Sequence, residues 1–568
     1  VYPGARPAPL IVWRPPVPET AKQHAADTKW WQTATGYQIY PRSFCDSNGD
    51  GIGDIPGITS KLDHLRDLGI GFIWLSPVYA SPMADNGYDI ADYRAIAPEF
   101  GTLQDFDHML AEAKARGIGI VMDLVVNHSS DAHDWFKGAK VSKSAPTHDY
   151  YIWRDPSPDG GPPSDHRACF GGSAWHFVPE IGQYYLGFFS AAQPDLNWQN
   201  PKLRHEIYDM MNWWLDRGIA GFRMDVISLI GKDVDAGIFE EGPHLHGFLQ
   251  EMHRETLAGR DVVTVGESWS VSRDTALLYC GRDRAELDMV FQFQHIMEGW
   301  DPVHGKWKPR PFDLVAFKRV LNDWQQTLAD DGWNSLFLSN HDLPRQVSRY
   351  GDDGVFRVQS AKMLATVVHL MKGTPFVYQG EEIGMTNVRF ERIEQFRDIE
   401  TLGQYEDAMA AGVSPTDFIA GANTNGRDNA RTPMQWSADA QAGFTSGTPW
   451  IETNPNHTEI NVAADRADPD GIFDYYRRLV ALRKTMSLVV HGRYKSHAED
   501  HPSVFAFTRE LDGKRLAVVA NFTSKTLDFD VSEEMACSGT CLLSNYAPRD
   551  HLSGRMTLRP FEVQVVSN

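Results

Sequence analysis

Asn200-Pro201-Lys202-Leu203-Arg204-His205-Glu206-Ile207-Tyr208-Asp209-Met210-Met211-Asn212-Trp213-Trp214-Leu215-Asp216-Arg217-Gly218-Ile219-Ala220-Gly221-Phe222-Arg223-Met224-Asp225-Val226-Ile227 reads as one complete helix-to-strand unit. Asn200 offers a side-chain oxygen to the first free N–H groups of a helix, and Pro201 suits a first helical position that needs no donor. Ile207, Met210, Met211, Trp214 and Leu215 recur at three- and four-residue spacing and share one apolar face, which Gly218 ends. The next stretch, 219–227, is an apolar strand carrying an aspartate near its end. The same alternation runs upstream. An apolar strand, 71–77, is followed by a helix that Thr102 and Asp105 open as a capping box; Phe106, Met109, Leu110 and Ala113 form its buried face, Gly117 stops it, and 118–126 is the following strand. Strand, helix, strand, repeated, dictates a parallel sheet.

Working outward, 262–266, 289–293, 335–339 and 375–378 are further short apolar strands, several ending in charged or polar residues. That pattern predicts an α/β fold, a (β/α)8 TIM barrel whose strand C-termini form the functional face. Between 129 and 195 the alternation lapses into Gly, Pro and aromatic residues, an inserted subdomain after strand 3. After about residue 485 short alternating strands (504–508, 515–521, 561–566) predict a C-terminal antiparallel β domain. The expected organisation is therefore a Pro-rich extension over 1–29, a barrel over 30–128 and 196–484, the insertion over 129–195, and a β-sandwich over 485–568.

Length agrees, because 568 residues exceed one ordinary core. With 54 Lys and Arg against 75 Asp and Glu, the formal net charge is -21, which repels phosphate backbones and anionic lipid and leaves a neutral substrate unaffected. Nucleic acid and membranes are excluded as partners on that ground. No apolar stretch reaches the roughly 20 residues that span a bilayer. The start at Val1 and the prolines after it fit a trimmed leader, hence a periplasmic or secreted location, with the cytoplasm as the alternative. Of five cysteines, Cys537 and Cys541 flank a Ser-Gly-Thr turn that could close a small disulfide loop or leave both thiols free.

Five segments stand at predicted strand ends or in the insertion: Asp123-Leu-Val-Val-Asn127-His128, Gly221-Phe-Arg223-Met-Asp225-Val226, Val265-Gly-Glu267, Asn340-His341-Asp342 and Gln193-Pro-Asp195-Leu-Asn197. A lone aspartate at a strand end is more often a helix cap. Paired carboxylates at neighbouring strand ends instead suit retaining glycoside cleavage, in which one ionised carboxylate attacks the anomeric carbon and a protonated one, about 5 to 5.5 Å away, releases the leaving oxygen. Arg223, two residues before Asp225, shares its strand face and can hold it ionised. Together and in this order the segments resemble the α-amylase family of glycoside hydrolases (family 13), over nearly the whole chain from Trp30. The resemblance implies Asp225 as nucleophile, Glu267 as acid/base and Asp342 as a third carboxylate clamping sugar hydroxyls. It implies that His128 and His341 donate to the first glucose, and that Asp85 and Tyr88 of Asp85-Asn-Gly-Tyr88-Asp, with Arg427 as partner of Asp85, close the pocket. Phe170 and Phe189 match its aromatic walls, and Gln193 lies in the matching insertion segment.

Asp46-Ser-Asn48-Gly-Asp50-Gly-Ile52-Gly-Asp54 sets oxygen ligands at alternate positions with glycines permitting a tight wrap, as a hard divalent cation demands. It resembles the calcium loop of the family's oligosaccharide-specific branch; the expected ion is structural calcium, with magnesium as alternative and no organic cofactor. Val226, after the nucleophile, accompanies α-1,6 specificity in that branch, so the resemblance implies an exo-acting α-glucosidase of the oligo-1,6-glucosidase type working on small oligosaccharides as a monomer or small homo-oligomer, with transglucosylation as a competing outcome. Sucrose isomerases and α-1,4-preferring glucosidases are the alternatives. The former carry an arginine-rich segment where 291–300 here holds none. A non-catalytic, transporter-associated protein of this fold would lack catalytic carboxylates that this chain keeps.

Overall fold

Helix ends form where side chains offer the missing partners. In the computed structural model, which describes residues 28–568, the Thr102 hydroxyl accepts the Asp105 N–H while the Asp105 carboxylate accepts that of Thr102, opening the helix Leu103–Ala115. Asn200 accepts the Lys202 N–H at 2.9 Å and caps Pro201–Arg217. Residues 1–27, the bulk of the expected Pro-rich extension, lie outside the described residues.

Eight strands, β1 (Gly36–Ile39), β2 (Phe72–Leu75), β3 (Gly119–Leu124), β4 (Gly221–Met224), β5 (Val263–Glu267), β6 (Met289–Phe291), β7 (Ser335–Leu336) and β8 (Thr374–Tyr378), pair in the order β6-β5-β4-β3-β2-β1-β8-β7. Their ladders are parallel, and β1 pairs with β8, so the sheet curls back on itself. At the seam between β6 and β7 the Ser335 hydroxyl donates to the Val290 carbonyl at 2.8 Å. This is the expected (β/α)8 barrel. Gly221 lets β4 and β5 run side by side: its φ is 142°, and a Cβ there would lie 1.8 Å from the Val263 carbonyl oxygen. The two strands that end in Asp225 and Glu267 thus depend on a position without a side chain.

After β3 the chain leaves the barrel and builds a three-stranded antiparallel sheet from Trp153–Arg154, Trp175–Val178 and Gln183–Leu186. It returns where Leu196 donates to the Asn127 carbonyl at 2.9 Å. The last strands, β9 (Arg493–His497), β10 (Val504–Leu511), β11 (Lys514–Asn521), β12 (Thr540–Ser544) and β13 (Val563–Ser567), form an antiparallel sheet in the order β9-β10-β11-β13-β12. Lys318, on the barrel helix Leu314–Thr327, reaches across and donates to the carbonyls of Ala498, His501 and Val504 at 2.7, 2.7 and 2.9 Å. Burial lowers its ammonium to about 8. Cys537 and Cys541 are both free, their thiols turned to the carbonyls of Val566 and Leu543, which settles that alternative against a disulfide. Among the described residues no helix is long and apolar enough to cross a membrane.

Candidate active site

The strand ends of the barrel converge on a cavity of about 260 Å³ lined by Asp85, Tyr88, His128, Phe170, Phe189, Gln193, Asp225, Val226, Glu267, His341, Asp342 and Arg427. Each of those lining positions was singled out in the sequence. A larger cavity, about 1000 Å³, lies beside the opposite ends of β5 to β7 against Thr264, Asp288 and Trp333 and holds none of them.

Arg223 is the hub of the floor. Its side chain is fully buried, and one terminal nitrogen donates to Asp123 at 2.8 Å and to Asp225 at 2.7 Å while the other meets Glu267. Trp74 lies 4.8 Å from the guanidinium and donates its indole N–H to Asp123, as does the Tyr88 hydroxyl, at 3.0 and 2.9 Å. Burial raises the Asp225 carboxyl; Arg223 pulls it down, and the Glu267 and Asp123 charges push it up again, leaving it well above the usual carboxylate range. Carboxylates crowded on one guanidinium do not all ionise at low cost, so a proton taken up there is shared by the group as a whole.

At the closed end Arg427 meets Asp85 and Asp342 at 3.3 Å each and Asp398 at 2.6 Å. Its guanidinium lies 4.7 Å from the Phe170 ring. Arg431 adds a 2.8 Å contact to Asp342. Burial pushes the Asp85 carboxyl up to about 7, against the pull of Arg427 and Arg431. Burial would also raise Asp342, but the His341, Arg427 and Arg431 charges outweigh it and hold it far below its ordinary value. His341 is itself lowered to about 3 by burial, so the two arginines account for the effect at neutral pH. His128 is lowered to about 4 in the same way. Both rings are neutral and fixed: His341 stacks on Tyr88 at 5.1 Å and 8° and bonds Gln38 at 2.8 Å, and His128 bonds the Tyr88 carbonyl at 3.0 Å.

Val226 has φ 35° and ψ 44°, a left-handed conformation that is costly for a β-branched residue and marks strain held by its surroundings. Its N–H points to Glu267 at 3.3 Å, and the other oxygen of Glu267 accepts the Trp269 indole N–H at 2.9 Å.

A family model for the α-amylase catalytic domain matches residues 38–492. The chain belongs to the α-amylase family. Within it, a palatinase from Erwinia rhapontici is 54% identical over 94% of this chain and 98% of its own, and an oligo-1,6-glucosidase from Halalkalibacterium halodurans is 52% identical over 95% and 99%. Among solved structures, an isomaltulose synthase from Erwinia rhapontici NX5 superposes with a TM-score of 0.92 at 40% identity, covering 95% of this chain and 99% of that one.

Several residues that line or support this cavity were not assigned a role from sequence. Asp123 carried the right signal, an acid closing an apolar strand. Arg431 stands four residues beyond Arg427, at the end of the short helix Asp428–Arg431. Asp398, Trp269 and Glu240 come from loops without periodicity, and nothing in their neighbours pointed to the cavity.

In the loop after β1, the Asp46 carboxylate accepts the N–H groups of Asn48, Gly49 and Gly51, Asn48 accepts from Asp50, and Asp50 from Ile52. These bonds wrap the loop around the side-chain oxygens of Asp46, Asn48 and Asp50, which take the loop's own N–H groups. Asp54 also works as a cap, accepting the Gly57 N–H at the start of the helix Ile55–Ser60. Among the described residues no three His, Cys, Asp or Glu side chains gather as a metal-ligand group.

Proposed function

We propose that the protein is a retaining, exo-acting α-glucosidase that removes the terminal non-reducing glucosyl unit from short α-1,6-linked oligosaccharides. One observation carries the reading: Arg223 ties the carboxylates at the ends of β4 and β5 together on the floor of a cavity whose far end is shut by Asp85 and Arg427. In this assignment Asp225, ionised against Arg223, attacks the anomeric carbon, and Glu267 delivers the shared proton to the glycosidic oxygen, then takes one from water to release α-glucose. Asp342, kept ionised by Arg427 and Arg431, accepts from the sugar's hydroxyls, and neutral His341 donates to them through Nε2, while the N–H of His128 holds the Tyr88 carbonyl at the pocket wall. The closed end admits one glucose, which gives exo action. The α-1,6 preference is supported by relatives with that name at 52% identity and by Val226, whose strained position beside Glu267 narrows the space for the departing sugar.

The resemblance to an isomaltulose synthase favours a second reading, transfer to the departing sugar in place of water. The absence of arginine from 291–300 supports hydrolysis. Turnover of isomaltose, maltose, sucrose and starch, with proton NMR of the first glucose released, tests both. Initial α-glucose chiefly from isomaltose is expected; β-glucose would sink the mechanism, and rearranged sucrose would replace hydrolysis with isomerisation.

We also propose structural calcium in the loop after β1, held by the side chains of Asp46, Asn48, Asp50 and Asp54 and the Ile52 carbonyl, with magnesium the competing ion. Support comes from the alternation of hard oxygen donors around the glycine turns.

A further inference from the structure

Beside Asp225 and Glu267 the cavity is also lined by Ser228, Glu240, Trp269 and Trp300. Ser228 follows Asp225 by three residues and Trp269 follows Glu267 by two, so this wall borders the space the leaving group must occupy. Glu240 is unlike the other acids of the cavity. Asp225 and Glu267 share Arg223, Asp85 and Asp342 meet Arg427, and Glu400 takes Lys306 at 2.5 Å. Among the described residues Glu240 has only a 3.4 Å contact from the Ser228 hydroxyl and pairs with no cation. The backbone beside it is held in place at a cost. Glu241 sits at φ 48°, its N–H bonded to the Ser228 carbonyl at 3.1 Å and its carboxylate accepting from Thr275 and Tyr279 at 3.0 Å each. A strained, pinned turn that presents one unpaired carboxylate to a substrate cavity is a positioning device.

We propose that Glu240, with the Ser228 hydroxyl, is the acceptor half of the site: it binds hydroxyls of the departing sugar and turns away leaving groups that carry negative charge. This rests on the α-glucosidase reading above. An ionised carboxylate is an acceptor only, so two adjacent sugar hydroxyls can donate to its two oxygens, and the serine hydroxyl can serve a third as donor or acceptor. An anionic substituent on the leaving group meets like charge at Glu240, with which no cation pairs among the described residues.

The test measures kcat/KM for the wild-type enzyme, Glu240→Gln, Glu240→Lys and Ser228→Ala on isomaltose, 4-nitrophenyl α-glucoside and 4-carboxyphenyl α-glucoside. The isomaltose to nitrophenyl ratio is expected to fall about tenfold in Glu240→Gln and in the same direction in Ser228→Ala, because the nitrophenyl group has no hydroxyls to lose. The carboxyphenyl to nitrophenyl ratio should rise about tenfold in Glu240→Lys. Ratios within twofold of wild type in all three variants overturn the assignment while leaving the glucosidase reading standing. A wild-type enzyme that cleaves none of the three substrates removes that reading, and this one with it.

Discussion

Replacing Asp85 by Asn separates the charge of the closed end from its shape. Burial holds this carboxyl at about 7 against an ordinary 3.8. At about 1.4 kcal/mol per pKa unit, that rise of roughly three units corresponds to about 4 kcal/mol. The sign follows from linkage: an acid whose pKa is raised by folding binds its proton more tightly in the folded state. Its contribution is therefore fully present below about pH 4 and is lost as the pH rises through about 7. Asparagine keeps the side-chain outline and has no charge to desolvate. Asp85→Asn is thus expected to melt higher than wild type at alkaline pH and no higher near pH 4. An unfolding entropy of roughly 1.2 kcal/mol/K for a chain of this size turns about 4 kcal/mol into about 3 °C. Arg427 keeps Asp398, Glu400 and Asp342 as partners in the variant, so it is not stranded. The kinetic counterpart lies in KM. Ionised Asp85 is needed to accept from the glucose hydroxyls, so wild-type KM for isomaltose should rise as the pH falls below about 7, whereas the variant's KM should be high and flat. His128 and His341, lowered to about 4 and about 3, do not titrate in that range. Thermal scans and initial rates between about pH 5 and 8 decide the matter. A wild-type KM that does not move, or a variant no more stable at alkaline pH, would refute the reasoning.

Glu267→Gln should lower kcat/KM on isomaltose by about 10³-fold while largely sparing α-glucosyl fluoride, whose leaving group needs no proton; equal losses on both would assign the acid elsewhere. Val226→Ala should move the maltose to isomaltose ratio of kcat/KM at least about tenfold toward maltose, and an unchanged ratio places linkage choice in other residues. Chelation with EDTA should lower the melting temperature by several degrees, calcium should restore it, and Asp50→Ala should respond to neither; a wild type indifferent to EDTA removes the metal from the loop after β1.

The barrel was legible because its signals are local. Capping residues at Thr102 and Asn200, stops at Gly117 and Gly218, and apolar strands that end in an acid all act within a few residues of chain. The carboxylates of Asp225 and Glu267 share that legibility, since each stands at the end of a barrel strand. What could not be read was pairing across the site. Arg431 to Asp342, Asp398 to Arg427 and Trp269 to Glu267 are contacts between loops or within turns whose shape is set by the assembled barrel. The free thiols at Cys537 and Cys541 belong to the same class: their spacing allowed a bridge, and strand pairing turned the two side chains to different carbonyls. Strain at Val226 was equally invisible, because valine is a residue one expects in a strand and not in a left-handed turn.

The lysine that crosses from the barrel to the last sheet bears on how this chain could be recombined. Lys318 spends all three of its donors on carbonyls of the segment 498–504. A barrel grafted onto a foreign C-terminal module would carry an ammonium in a dry interface with nothing to receive its protons, a loss of several kcal/mol. Chimeras joined near residue 492 should therefore tolerate only modules that bring three carbonyls to the same spot, or a barrel in which position 318 has first been made apolar.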